Sequence, residues 1–208
     1  MPPEVTYFSS GIVFGLSAGL SPGPLLTLVI SETLKHGTKE GVKVSVAPLL
    51  TDLPIVLVTI LVLSHLAEVL PLLGLVSLLG GAFLLYLGFE SLSLKGGEID
   101  VEQIKPQSIK RGVTANFLNP SPYMFWFTIG APLLLKALKV SVLSASLFIL
   151  GFYLFLVGSK VLVAVVVGKS RSFLASKYYI YTVRSLGIVL LVFALFFFKD
   201  SLRCFGLI

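Results

Sequence analysis

A chain of 208 residues that is 56% hydrophobic and only 12% charged is not a soluble globular domain, in which roughly 25% of residues carry charge. Its formal net charge of +6 would suit nucleic acid, but the Lys and Arg residues collect in short connections between apolar runs, where membrane topology accounts for them. A single cysteine, Cys204, excludes an internal disulfide or thiol relay. His36 and His65 stand at opposite ends of one span, so no metal cluster or resident cofactor is expected.

Apolar runs of about 20 residues recur, each long enough to cross a hydrocarbon core roughly 30 Å thick. Six spans are expected, over about 8–31, 43–64, 69–92, 112–135, 141–168 and 180–199, and their lengths are those of helices rather than strands. The start, Met1-Pro2-Pro3-Glu4, lacks the basic region of a signal peptide, so the first run is expected to stay in the protein.

Span one is interrupted by Ser21-Pro22-Gly23-Pro24. A proline inside a helix removes one backbone hydrogen bond and clashes with the preceding turn, at a cost of roughly 3 kcal/mol. In lipid the freed groups must find other partners, so such a break belongs where protein or a wet cavity surrounds it. Ser21 and Thr27 offer hydroxyls there, to the backbone or to a ligand. A half-helix starting at the break would present N–H groups to a carboxylate, and unpaired carbonyls would suit an ammonium; a zwitterion needs both. Gly11, Gly15 and Gly19 repeat every four residues on one face of this span, and read as a close helix contact.

Span two carries Asp52 between Pro48 and Pro54, about nine residues in and therefore roughly 13 Å deep. A carboxylate there costs about 2.5–3.5 kcal/mol on insertion scales. It reads either as a group facing a cavity, carrying a proton or binding a substrate amine, or as a satisfied structural acid. Span three holds Gly80, Gly81 and Gly88 for packing, with Tyr86 as a pathway candidate, and Glu90 near enough to the membrane end to meet water.

The connection 93–111, with Gly96, Gly97, Pro106 and mixed charges, is the one linker-like stretch. It divides a single membrane domain, 1–208, into three spans (1–92) and three more (112–208). An odd number of spans in each half orients the halves oppositely if they share a fold, which is an inverted repeat. The fold class is therefore all-α, with six transmembrane helices as two inverted three-helix repeats.

Span four carries the second break, Asn119-Pro120-Ser121-Pro122. Paired breaks in the two halves are the best pointer a sequence gives to a transporter's binding site. Asn116 and Asn119, three apart, have amides for the carbonyls that Pro120 and Pro122 leave unpaired, or for a substrate. Tyr123 and Trp126 are further pathway candidates. Span five holds Gly151 and Gly158 for helix contacts, and Lys160 at about the depth of Asp52. Lys160 either pairs with Asp52 in a bridge that breaks and remakes, or snorkels to the surface. Tyr178, Tyr179 and Tyr181 look like an interfacial belt, and Phe196, Phe197 and Phe198 like lipid-facing residues.

Lysines and arginines favour the odd-numbered connections: Lys35, Lys39 and Lys43 in the first, Lys95, Lys105, Lys110 and Arg111 in the third, Lys169, Arg171 and Lys177 in the fifth. The positive-inside rule then places these in the cytoplasm and both termini outside, although Lys136, Lys139, Lys199 and Arg203 pull the other way.

Gly19 with Ser21-Pro22-Gly23-Pro24 resembles the Gly-x-Ser-Pro-Gly-Pro signature of the lysine exporter (LysE/RhtB-type) translocator family. Gly37 and Gly41, Asp52, Gly81-Ala82, Tyr86-Leu87-Gly88, Arg111-Gly112, Asn116, Asn119-Pro120, Arg184 and Gly187 are similar to its further motifs in order. Ala47, Thr51 and Ser121 depart from it: the first two stand where glycines are usual, the third where lysine is frequent. The resemblance implies a secondary transporter that exports amino acids or derivatives from the cytoplasm, driven by an ion gradient, with proton exchange the expected coupling.

The expected pathway comprises Ser21, Pro22, Gly23, Pro24, Asp52, Asn116, Asn119, Pro120, Pro122 and Lys160. The expected partners are a small-molecule substrate, a proton as coupling ion, the bilayer and, as an option, a second copy of the chain. The main rival is a cation or metal exporter, since Asp52 and exposed carbonyls suit a hard cation. A membrane-embedded enzyme is disfavoured, because neither histidine and no cysteine lies mid-span.

Overall fold

In a computed structural model of the chain the described residues, 2–62, 66–93, 107–169 and 177–207, form helices and short connections, with no strand among them. The helices are α1 (Pro3–Leu20), α2 (Pro24–His36), α3 (Thr38–Ser45), α4 (Ala47–Val62), α5 (Leu66–Leu92), α6 (Ser108–Phe117), α7 (Pro120–Phe125), α8 (Ala131–Val140), α9 (Val142–Lys169) and α10 (Lys177–Cys204), with a π-turn over Trp126–Gly130. Among the described residues five stretches are long and apolar enough to cross a membrane, and the pair α1 and α2, bent by 61° at its break, makes six if it counts as one span. The expected linker residues Lys95, Gly96, Gly97, Lys105 and Pro106 lie outside the described residues, as do His65, Arg171 and the side chains of Lys177, Tyr178 and Tyr179.

Each interruption follows from a residue that cannot continue the helix. Pro22 and Pro24 end α1 and start α2, whose first residue, Pro24, sits where a missing N–H is harmless. Gly37, at φ 99°, turns α2 into α3 through backbone that favours glycine. Span two begins earlier than expected, at Thr38, and is interrupted at Val46: Pro48 has no N–H for the carbonyl of Val44. Span four differs more. Its apolar stretch is Pro120–Val140, so the second break stands at its head, with α6 before it, and not inside it.

Packing comes in two tight pairs, α1 on α9 and α5 on α10. The first depends on the glycine column. A Cβ on Gly11 would fall on the backbone oxygen of Phe148, one on Gly15 on that of Phe152, and one on Gly19 on Ser159 Oγ. Gly158, expected to serve a similar contact, is exposed with open space around it. One apolar core gathers Ile55, Trp126, Phe127, Phe148 and Phe152; a second gathers Leu28, Val44, Leu84, Leu190 and Phe197. Phe197 is thus buried and Phe198 packs against the same core, whereas Phe196 is exposed, so only one of the three has the outward position expected of all.

A charged cluster ties α2, α5 and α6 together at one end of the bundle. Glu32 is fully buried and accepts from Ser108 Oγ at 2.6 Å and from Arg111 Nη1 at 3.1 Å. Arg111 Nη2 reaches Glu90 at 2.8 Å, and Lys35 Nζ donates to Ser91 Oγ at 3.2 Å. Burial works against the Arg111 charge, but the hydrogen bond and charge of Glu90, with Glu32 behind, outweigh it and raise its pKa. Glu90 therefore has a structural partner that its position near a membrane end did not suggest.

Two stability predictions follow from these contacts. Gly15→Ala is expected to cost about 1–3 kcal/mol through forced separation of α1 and α9, while Gly158→Ala leaves the melting temperature of the purified protein level or higher. Arg111→Met is expected to cost about 3–5 kcal/mol, because it strands the buried Glu32 carboxylate. Adding Glu32→Gln should recover part of that loss in the same melting assay.

Candidate functional site

Where the two cores meet, a cavity of about 370 Å³ opens between the breaks. That is within the range of small-molecule sites. Its walls include Ser21, Pro22, Gly23 and Pro24 from the first break, Asn116, Asn119 and Pro122 around the second, and both Asp52 and Lys160. Nine of the ten expected pathway residues thus line one space. Pro120 is the exception: it is buried at the first position of α7, where it fixes the break and not the wall. Of the aromatic candidates Trp126 lines the cavity. Tyr123 is buried with its hydroxyl donated to the Phe117 carbonyl at 2.8 Å, and Tyr86 is exposed on the outside of the bundle.

Asp52 is buried and held by neutral donors. Asn116 Nδ2 donates to its Oδ1 at 3.0 Å and to Thr51 Oγ1 at 2.6 Å. Thr51 Oγ1 lies 3.4 Å from Oδ1, and Tyr153 donates to Oδ2 across 3.4 Å. The Asn116 amide therefore serves the carboxylate, and not the carbonyls freed by the prolines. Thr51 and Tyr153 are neighbours of the carboxylate that sequence reasoning missed. Thr51 was visible only as a departure from a glycine, and Tyr153 lies 101 positions from Asp52.

Lys160 is also buried, but its ammonium is turned to α1. Nζ donates to the carbonyl of Gly19 at 2.8 Å and to that of Ala18 at 3.3 Å. The ion pair with Asp52 that their matched depth suggested is not formed in this structure, and the stem does not snorkel to the surface either. Both charges face the same cavity, each satisfied by neutral dipoles.

The breaks are finished differently. At the first, Thr27 Oγ1 donates to the Gly23 carbonyl at 3.0 Å, which settles its use as structural, while Ser21 remains exposed on the wall. The first turn of α2, with Leu25 and Leu26, also lines the space, which puts the positive end of a helix dipole beside the cavity. At the second, Asn119 accepts from the Ser121 N–H at 3.0 Å as the cap of α7. The π-turn that follows sets Trp126 toward the cavity, and Gly130 makes room for its indole, since a Cβ there would meet the ring.

The chamber brings together one carboxylate, one ammonium, two amides and a helix start, with aromatic side chains in its walls. The family of LysE type translocators matches residues 16–201, most of the chain. No curated protein and no solved structure matches it.

Asn116→Ala is expected to destabilise the protein by about 1–3 kcal/mol, since it leaves a buried carboxylate short of a donor. In an Asp52→Leu background the same change should cost clearly less. Melting midpoints of the four proteins in one detergent measure the cycle, and strictly additive losses would mean that Asn116 does not support Asp52.

Proposed function

The chain belongs to the LysE type translocator family, and we propose that it exports an amino acid or a related small zwitterion across the cytoplasmic membrane in exchange for protons. The observation that carries this reading is the cavity in which both helix breaks, Asp52 and Lys160 converge. A zwitterion presents one anionic and one cationic end. The start of α2 and the Lys160 ammonium suit the first, and Asp52 suits the second. Because neither charge is spent on the other, substrate entry requires no ion pair to be broken.

In this reading Asp52 also carries the coupling proton. It is a buried acid beside the substrate space, and a substrate ammonium and a proton would compete for the same carboxylate. Exclusive occupation by one or the other is what exchange requires. The Lys-rich and Arg-rich connections support an orientation with the odd-numbered loops, and with them the Glu32–Arg111–Glu90 cluster, on the cytoplasmic side and both termini outside.

The packing supports two halves of opposite orientation. Exchanging the halves, break laid on break, turns the contact of α1 with α9 into that of α6 with α4, and returns the α5–α10 contact to itself; both contacts exist. Two such repeats around a site at mid-membrane give a plan for alternating access.

The first test is a comparison of intracellular metabolites in cells with and without the gene, where the transported molecule should be retained in the deletion strain. The second uses that molecule in proteoliposomes. An imposed pH gradient should drive its efflux through the wild-type chain, and Asp52→Asn should reduce the driven component to the level of empty liposomes. Proton-driven flux that survives Asp52→Asn intact removes Asp52 from the coupling step.

A further inference from the structure

In a regular helix the carbonyl of residue i accepts from the N–H of residue i+4. For Ala18 that position is Pro22, which has no N–H; for Gly19 it is Gly23, whose extended backbone (φ −171°) already belongs to the cap of α2. The neighbouring Ser17 carbonyl keeps its donor, Ser21 N–H, at 3.0 Å. The break thus frees two adjacent carbonyls at the negative end of α1, deep in the bundle, where an unmet acceptor is costly. A single ammonium, Lys160 Nζ, meets both.

Unwound main-chain carbonyls at a half-helix C-terminus are among the ligands with which membrane transporters bind monovalent cations. An alkylammonium and a potassium ion carry the same charge and are of similar size. We propose that the carbonyls of Ala18 and Gly19 form a monovalent-cation seat that Lys160 occupies as a covalently tethered cation. The chain then binds no free Na⁺ or K⁺ at its first break, and removing the Lys160 side chain opens the seat to a small cation from solution. Gly19 is part of the device. Its lack of a Cβ lets Ser159, and with it the next residue Lys160, come against the end of α1.

This assigns Lys160 a second role beside the one the transport reading gives it on the cavity wall, as a positioning residue acting on α1.

The test uses the purified full chain in detergent, melted at constant ionic strength in choline, sodium, potassium or methylammonium chloride. The wild type should melt at one temperature in all four. Lys160→Ala should melt lower in choline and be raised by methylammonium or by an alkali cation. Equal stabilisation of wild type and variant, or a variant indifferent to all four salts, overturns the proposal. If Lys160→Ala is recovered folded only when methylammonium is present during extraction, that supports it; failure of recovery in every salt counts against it.

A second variant gives an independent readout. Pro22→Ala returns an N–H to the position that serves Ala18. Lys160→Met should therefore lower the melting temperature less in the Pro22→Ala background than in the wild type, or be recoverable only in that background. An equal loss in both backgrounds overturns the proposal. No transport enters either assay, so their failure leaves the proton-exchange reading standing, and its failure leaves the seat standing.

Discussion

Main-chain polar groups within a bilayer must be paired inside the protein, and Pro22 makes that impossible for α1 acting alone. The rest of the arrangement around the cavity answers this deficit. The carbonyls of Ala18 and Gly19 need a donor that no local residue supplies. Lys160 supplies it from 141 positions away, because Gly11, Gly15 and Gly19 let α9 lie directly on α1. A column of small residues and a distant lysine are therefore two parts of one solution. Side chains on the column would hold the helices apart, and the ammonium would not reach.

The same reasoning explains how an acid and a base share a cavity without forming a bridge. A bare pair in a dry interior attracts strongly, yet its desolvation cost is of the same order, so pairing is not the only stable outcome. Here neutral dipoles do the work of solvent. Asn116 and Tyr153, with Thr51 alongside, surround Asp52, and two carbonyls surround the Lys160 ammonium. The charges remain on the wall of a common space. The opposite solution is found at the end of the bundle that holds Glu32, Arg111 and Glu90. There the charges are spent on one another and join α2, α5 and α6.

What was legible in the sequence was whatever depends on length, periodicity or a backbone that cannot stay regular. Apolar runs marked the helices, proline marked both breaks, with a glycine at the first, and counting residues put Asp52 and Lys160 at one depth. What counting could not give was direction. Depth alone made Lys160 a partner for Asp52, when the nearer demand was the pair of carbonyls that Pro22 frees. That demand was itself written in the sequence, in the four-residue offset from Ala18 to Pro22. Glu32 was hidden for another reason: it lies in a polar helix end, Ser-Glu-Thr-Leu-Lys-His, that looks solvated, and its partners come from 76 and 79 positions away. Helix faces misled in a similar way, since nothing in a run of three phenylalanines says that Phe197 meets Gly80 while Phe196 faces out.

The two breaks look alike as sequence and differ in how they are held. At the second, the repair is local. Asn119 caps α7, its own N–H reaches the Asn116 carbonyl at 3.2 Å, and Tyr123 serves the Phe117 carbonyl. All of these bonds lie within a single stretch from Asn116 to Tyr123, so the segment can move as a unit and keep them. At the first, the repair crosses between helices. Any motion that lifts α1 from α9 strips two carbonyls of their donor and the ammonium of its acceptors together.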